Sequence, residues 1–138
     1  MFVGIGVLVF NAIAAGWGAV AWLRKEPSVA FWPLLRVAQA FVVVQALLGL
    51  LLLASGRRAP DDLHVIYGLG PLLVSFMSEG MRAGVGMREL EGVEDVEALE
   101  RREQLVLARR VALAEIGVMT VGALLILTLA LRAYQTGA

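Results

Sequence analysis

Four stretches of the sequence are long enough and apolar enough to form helices that cross a bilayer. They cover about residues 2–23, 28–55, 61–82 and 107–132, and segments rich in charge, proline or glycine separate them. A helix needs about 20 mostly apolar residues to cross the hydrocarbon core, which is about 30 Å thick. The pattern predicts an all-α integral membrane protein, a four-transmembrane-helix bundle that forms a single membrane domain over residues 1–138.

The composition agrees with this class and excludes several others. Hydrophobic residues make up 59% and charged residues 17% of the chain, against about 45–50% and about 25% in soluble proteins. Lysine plus arginine and aspartate plus glutamate number 12 each, so no excess of positive charge indicates a nucleic-acid partner. The chain has no cysteine and one histidine, which excludes disulfides, thiolate metal sites and a bis-histidine haem site within one chain. No motif requires a metal or another cofactor, and no catalytic arrangement is present, so we do not expect an enzyme.

Capping residues suggest where the helices begin. Ser28 is a suitable N-cap for the second helix. Pro60, Asp61 and Asp62 form a start signal for the third, because proline suits a first turn and aspartate accepts hydrogen bonds from free backbone amides. The fourth helix is expected to enter the membrane at or just after residues 109–110.

A charged segment over about residues 83–106 separates the third and fourth helices. It opens with Gly84 and Gly86, which we expect to end the third helix. From Val93 onward it contains good helix formers, so the fourth helix should begin before the membrane. Its acidic part, residues 89–103, has two interpretations: a solvated cytoplasmic surface, or a docking site for a cytoplasmic partner.

The distribution of basic residues predicts the orientation in the membrane. Most lie in the segments between helices 1 and 2 and between helices 3 and 4, namely Arg24, Lys25, Arg88, Arg101, Arg102, Arg109 and Arg110. Fewer lie on the opposite side, namely Arg57, Arg58 and Arg132. Because cytoplasmic loops are enriched in lysine and arginine, loops 1–2 and 3–4 should be cytoplasmic and both termini should lie on the outer side of a plasma (inner) membrane.

The third helix has one polar face. The residues within an arc of about 120° of a helical wheel are His64, Tyr67, Gly68, Pro71, Ser75, Ser78, Glu79 and Arg82. An unsatisfied polar group in lipid is costly, so this face should turn toward other helices or water. Pro71 also leaves the carbonyl of Tyr67 without its helical donor.

Ionisable groups on three helices fall near one depth of the membrane. The candidates for a polar network or transport site are Arg36 and Gln39 on helix 2, Glu79 and Arg82 on helix 3, and Glu115 on helix 4, with Ser75, Tyr67 and Pro71 on the same stripe of helix 3. Intramembrane ionisable groups often mark ion, proton or substrate pathways. The alternative is that they join three helices or extend toward the inner headgroups.

His64 is the one side chain with an ordinary pKa near neutrality. It has three interpretations: a proton sensor, a haem contact shared with a second copy in an oligomer, or an interfacial histidine bonded to a neighbour. A haem site would require the oligomer, since the chain supplies one histidine.

Small and amide residues mark helix-packing faces. Asn11, Ala15 and Gly18 share a face of helix 1, and Gln45 and Gly49 lie on helix 2 roughly opposite Arg36. Such residues let backbones approach and form hydrogen bonds between helices. Helix 2 therefore has two faces that avoid lipid, which predicts a homo-oligomer.

Two functions fit these features. The first is a homo-oligomeric channel or proton-linked small-solute transporter that uses the stripe of helix 3 and the intramembrane arginines and glutamates. The second is a non-catalytic assembly or electron-transfer subunit of a larger membrane complex, binding haem or quinone near His64.

Overall fold

A computed structural model describes residues 1–59 and 62–137, and in these ranges the chain is helical without strands. The four helices are α1, Phe2–Leu23; α2, Phe31–Ala54; α3, Asp62–Glu89; and α4, Arg101–Gly137. The all-α prediction is confirmed. Pro60 and Asp61, part of the predicted start signal of the third helix, lie outside the described residues.

Three of the helices, α1, α2 and α4, are long and apolar enough to cross a membrane. Much of the α2 surface is aliphatic and exposed, with Leu47 to Leu53 as an example, and a hydrocarbon environment is the one that suits such a surface. The predicted membrane location is thereby supported. Helix α3 differs because serine, glycine, glutamate and arginine occupy one of its faces.

The helices pack side by side as a bundle. Helix α4 contacts α1 and α3, and α2 contacts α1 and α3; of these four contacts, that between α3 and α4 is the most extensive and that between α2 and α3 the sparsest. At one end, here called the loop end, Arg109 Nε donates to the Lys25 carbonyl at 3.0 Å. At the other, the terminal end, Met1, His64 and Tyr134 line one cavity.

The core lies between α1, α2 and α4. Phe31, Ile116 and Met119 are the largest side chains of one buried cluster. Gly18 lets these helices approach closely, because a Cβ at this position would overlap the Phe31 ring and the Thr120 hydroxyl. Small residues thus serve close helix packing, as expected for membrane helices.

The predicted packing residues have different environments. Asn11 is 1% exposed and its Nδ2 donates to the Val7 carbonyl at 2.8 Å, and Ala15 and Gly18 are also buried. Gln45 is half-buried beside Gly4. Gly49 is exposed, with no atom within 4 Å of the position that a Cβ would occupy.

Helix α2 begins later than Ser28. Its N-cap is Ala30, and the Phe31 amide donates to the Ser28 carbonyl at 3.3 Å in the preceding turn. The reason is Pro33: a helix begun at Ser28 would need a hydrogen bond from residue 33 to the residue 29 carbonyl, where proline has no N–H and its ring clashes. Ser28 Oγ instead accepts a hydrogen bond from Trp17 Nε1 at 2.9 Å.

The helical parts of the charged segment between α3 and α4 are not the predicted ones, because Gly84 and Gly86 do not end α3 and no α-helix begins at Val93. Helix α3 continues through Gly84 and Gly86 to Glu89, and α4 begins at Arg101, so residues 90–100 form the connection. Packing offsets the low helix propensity of glycine, since Gly86 is buried against α4. Gln104 holds the connection on α4, because its Nε2 donates to the carbonyls of Val96 and Leu99 at 3.0 and 3.1 Å.

Candidate functional site

The polar side chains predicted on three helices meet at the loop end of the bundle. We call them the charged cluster, which consists of Arg36, Gln39, Glu79, Arg82 and Glu115. On α2 and on α3 the members are three residues apart, which places them on one helix face. Helix α4 supplies a single carboxylate from its own inward face.

Glu79 is the centre of the charged cluster. Its Oε1 accepts hydrogen bonds from Arg36 Nη1 and from Gln39 Nε2, the latter at 2.8 Å. Its Oε2 accepts from Arg82 Nε at 2.8 Å. Arg36 Nη1 also donates to Gln39 Oε1 at 2.6 Å. Both carboxylate oxygens are therefore engaged, and Glu79 links α2 to α3.

Arg82 lies between two carboxylates. While its Nε binds Glu79, its Nη1 is 3.6 Å from Glu115 Oε2, a distance beyond the usual range of a hydrogen bond. Its guanidinium carbon lies 5.6 Å from the centre of the Trp32 ring, within the range of a cation–π contact. Arg82 is thus fixed by Glu79 and Trp32, and Glu115 is held more loosely.

A glycine makes room for Glu115. A Cβ at Gly86 would be 3.0 Å from Glu115 Oε1 and 3.8 Å from Val111 Cγ1. The hydrogen in place of a side chain lets the carboxylate lie against the backbone of α3. Gly86 therefore belongs to the site even though it has no polar group.

The charged cluster is partly exposed and electrically balanced. The Arg36 side chain is 53% exposed, while those of Glu79, Arg82 and Glu115 are 28%, 29% and 21% exposed. Two guanidinium groups face two carboxylates. With both carboxylates ionised these four groups carry no net charge, and protonation of either carboxylate would leave a net charge of +1.

Three of the five members of the charged cluster line a cavity of about 510 Å³ at the loop end. Arg36, Arg82 and Glu115 face it together with Trp32, and the start of α4 contributes Gln104. This volume lies within the range of about 300–1,000 Å³ that is common for small-molecule sites. The cavity is therefore large enough for a small solute beside one carboxylate and two guanidinium groups.

A second cavity, of about 480 Å³, lies at the terminal end. His64, Tyr67 and Pro71 of the α3 stripe line it, and Gln45 and Tyr134 face it from α2 and α4. The structure therefore does not bring these stripe residues to the charged cluster. His64 precedes Glu79 by 15 residues in the helix, which is about 22 Å along the axis.

Closely packed residues separate the two cavities. Ser75 and Ser78 of α3 are buried, and a Cβ on Gly122 of α4 would be 3.0 Å from Ser78 Cβ. Among the described residues, no lining residue is shared by the two cavities. The predicted stripe is thus open at its two ends and closed by helix packing at its middle.

Sequence reasoning did not assign Trp32, Gly86 or Gln104 to the site. Trp32 precedes Arg36 by four residues and Gly86 follows Arg82 by four, so helical spacing places each on the face of a cluster member. That signal could have found both. Gln104 had no such signal, because its role depends on how the 90–100 connection folds back.

Among the described residues, no group of histidine, cysteine, aspartate and glutamate has an arrangement that could hold a metal ion. Comparison of the chain with protein-family models, curated proteins and solved structures finds no match.

Proposed function

We propose that this protein is a proton-linked transporter of a small solute, in which the α3 stripe is the route and the charged cluster is the coupling site. The observation that supports this most is the placement of two cavities, each with a few polar side chains in a mainly apolar lining, at opposite ends of one helix face with a packed segment between them. A transporter that opens to one side at a time needs such an arrangement.

The proposal places all four helices across the membrane, with α3 shielded by its neighbours. The polar face of α3 is turned inward, where Ser75 and Ser78 are buried, and its apolar face, including Leu73 and Phe76, is exposed. A helix of this kind can cross a bilayer because its costly groups avoid lipid. The loop end, rich in arginine, is then cytoplasmic, and both termini are outside.

Glu115 is the proposed proton carrier of the charged cluster. Glu79 accepts hydrogen bonds from three side chains and is fixed as the acceptor that joins α2 and α3. Glu115 has one longer contact with Arg82 and faces the cavity. Protonation of Glu115 would release Arg82 from its second carboxylate and change the charge of the cavity wall, which gives the coupling a physical basis.

Proton flux into proteoliposomes tests this function. The purified protein is reconstituted with an entrapped pH-sensitive dye, and a potassium diffusion potential drives proton entry. We expect the native protein to exceed protein-free liposomes and Glu115→Gln to fall to their rate, since glutamine keeps the shape but cannot bind and release the proton.

The matched control is Glu94→Gln, which removes an exposed carboxylate of the 90–100 connection. It should retain native flux, and native mass spectrometry should find the same oligomeric state in all three proteins. Glu115→Gln at the native rate would refute the role of Glu115, and native protein at the liposome rate would show that protons do not cross without the solute.

A further inference from the structure

The sparse contact between α2 and α3 leaves a groove at the terminal end of the bundle. Its walls are the second half of α2 and the first half of α3, and its volume is about 190 Å³. Leu50, Leu53, Val65 and Leu69 make it largely apolar. Both helices have a glycine in the wall, Gly49 and Gly68, with no atom within 4 Å of the position of a Cβ. The groove therefore has room for a hydrocarbon chain.

The groove is continuous in its lining with the inner cavity at the terminal end. Gln45, His64 and Gly68 line both spaces. The groove opens between two helices, so a molecule dissolved in the bilayer can enter from the side without crossing water. The inner cavity of about 480 Å³ can then take a head group while the groove holds the tail.

Hydrogen-bonding groups are placed where the two spaces meet. The Nδ1 atom of His64 is buried and, within the described residues, has no hydrogen-bond partner. A buried polar atom without a partner is costly, and such atoms in native proteins are commonly satisfied by a ligand or water. The Gln45 amide lines the same junction, and Tyr67 lies in the inner cavity. The Gln45 Nε2, the Tyr67 hydroxyl and, when it carries the proton, His64 Nδ1 can each donate a hydrogen bond to a carbonyl oxygen of a head group.

We propose that this groove and the adjoining cavity bind a lipid-soluble quinone, with its carbonyl head beside His64 and Gln45 and its hydrocarbon tail between α2 and α3. The inference does not rest on the transport function, and a quinone head bound here would occupy the terminal end of the proposed solute route.

An anionic glycerolipid fits the same space less well. Its charged head would remain at the rim, where Arg57 and Arg58 lie, and would leave the Nδ1 of His64 and the inner cavity without a partner. A neutral carbonyl head can enter past the rim and use the hydrogen-bonding groups inside.

Photolabelling tests the proposal. The full-length protein in nanodiscs of neutral phosphatidylcholine is irradiated with an azido-quinone bearing a short alkyl tail, and the labelled peptides are identified by mass spectrometry. We expect label on α2 or α3 at the groove and competition by excess decylubiquinone, but not by phosphatidylglycerol or 1-decanol. Competition by phosphatidylglycerol would show that the groove binds an anionic lipid. Competition by 1-decanol would show that it binds any hydrocarbon tail without recognising the head group. Either result would overturn the proposal.

Two variants with a matched control connect the label to the groove. Gly68→Leu fills the groove from α3 and should reduce labelling about tenfold, the effect of overpacking a site. The control is Gly80→Leu, which makes the same change on α3 at a position outside the groove. No atom lies within 4 Å of the place that a Cβ would take there, so this variant should be labelled as strongly as the native protein.

His64→Leu tests the hydrogen-bonding head separately, because it leaves the tail site open. It should weaken labelling by the quinone about tenfold, as expected when a buried hydrogen bond is lost. If Gly68→Leu and His64→Leu label like the native protein while all variants are equally well folded by circular dichroism, the quinone site is refuted.

Discussion

At the scale of single residues, Glu79 is the side chain on which the charged cluster depends. Three donors from two helices converge on its carboxylate. Removing the partly buried Glu79 carboxylate leaves the three donors without their acceptor. The free-energy cost of this loss exceeds the net stabilisation that the ion pairs contribute.

Glu79→Ala should therefore destabilise the protein by about 1–3 kcal/mol, a value below that of a fully buried pair because the cluster is partly exposed. Equilibrium unfolding in mixed micelles of a mild detergent and sodium dodecyl sulfate, followed by circular dichroism, measures this difference. Glu91→Ala removes an exposed carboxylate of the connection and should change the free energy of unfolding little. Equal effects of the two substitutions would contradict the central role of Glu79.

Individual site residues were predictable where helical spacing alone places them. Spacing put Arg36 beside Gln39 and Glu79 beside Arg82 on single helix faces. Counting residues inward from the charged ends of the apolar stretches also predicted that these two pairs and Glu115 lie near one depth of the membrane. What spacing could not give is which groups bind each other: that Glu79 takes three donors and Glu115 one long contact depends on how α2, α3 and α4 pack.

At the scale of the helices, the α3–α4 contact depends on small residues at its middle. Gly122 lies so close to Ser78 that a Cβ would need the serine side chain to move. A larger side chain there forces the helices apart, and overpacking of this kind costs about 1–3 kcal/mol.

We expect Gly122→Leu to lower the thermal stability in detergent and Ser78→Gly in the same protein to restore part of the loss, because the second change removes the clashing atoms. The matched control is Gly16→Leu on α1, which makes the same substitution where no atom lies within 4 Å of the Cβ. Thermal unfolding followed by circular dichroism gives the comparison. If Gly16→Leu lowered the thermal stability as much as Gly122→Leu, the effect would come from replacing a helical glycine in general and not from the contact between α3 and α4.

The number and type of the helices could be predicted from the sequence. The positions of their ends were harder to predict, because each end depends on which of two opposing effects is larger. At the start of α2, the N-cap preference of Ser28 lost to the steric demand of Pro33. At the end of α3, the weak helix propensity of Gly84 and Gly86 lost to packing against α4. The first of these interactions is local and could have been read from the sequence, whereas the second depends on residues of α4 that are distant in sequence.

At the scale of the whole molecule, the number of membrane crossings depends on α3. Helices α1, α2 and α4 satisfy the criterion of length and apolar character, and α3 does not reach it. Hydropathy averages over all faces of a helix, whereas the cost of a polar group depends on the face it occupies. Because α3 turns its serines inward and its aliphatic side chains outward, we expect it to cross despite its lower hydropathy.

Cysteine accessibility tests the crossing directly, since the natural chain has no cysteine. Single substitutions Glu26→Cys, Ser55→Cys and Glu94→Cys place one thiol in each connection, all at exposed positions. In intact cells, a membrane-impermeant maleimide should label Ser55→Cys alone, and the other two should react after the membrane is opened, because an odd number of crossings separates residue 55 from each of them. If α3 lay on the membrane surface instead, the thiols at 55 and 94 would share one side and label together. The position of the thiol at 94 relative to that at 55 therefore decides whether α3 crosses, and labelling of the thiol at 26 fixes which side is cytoplasmic.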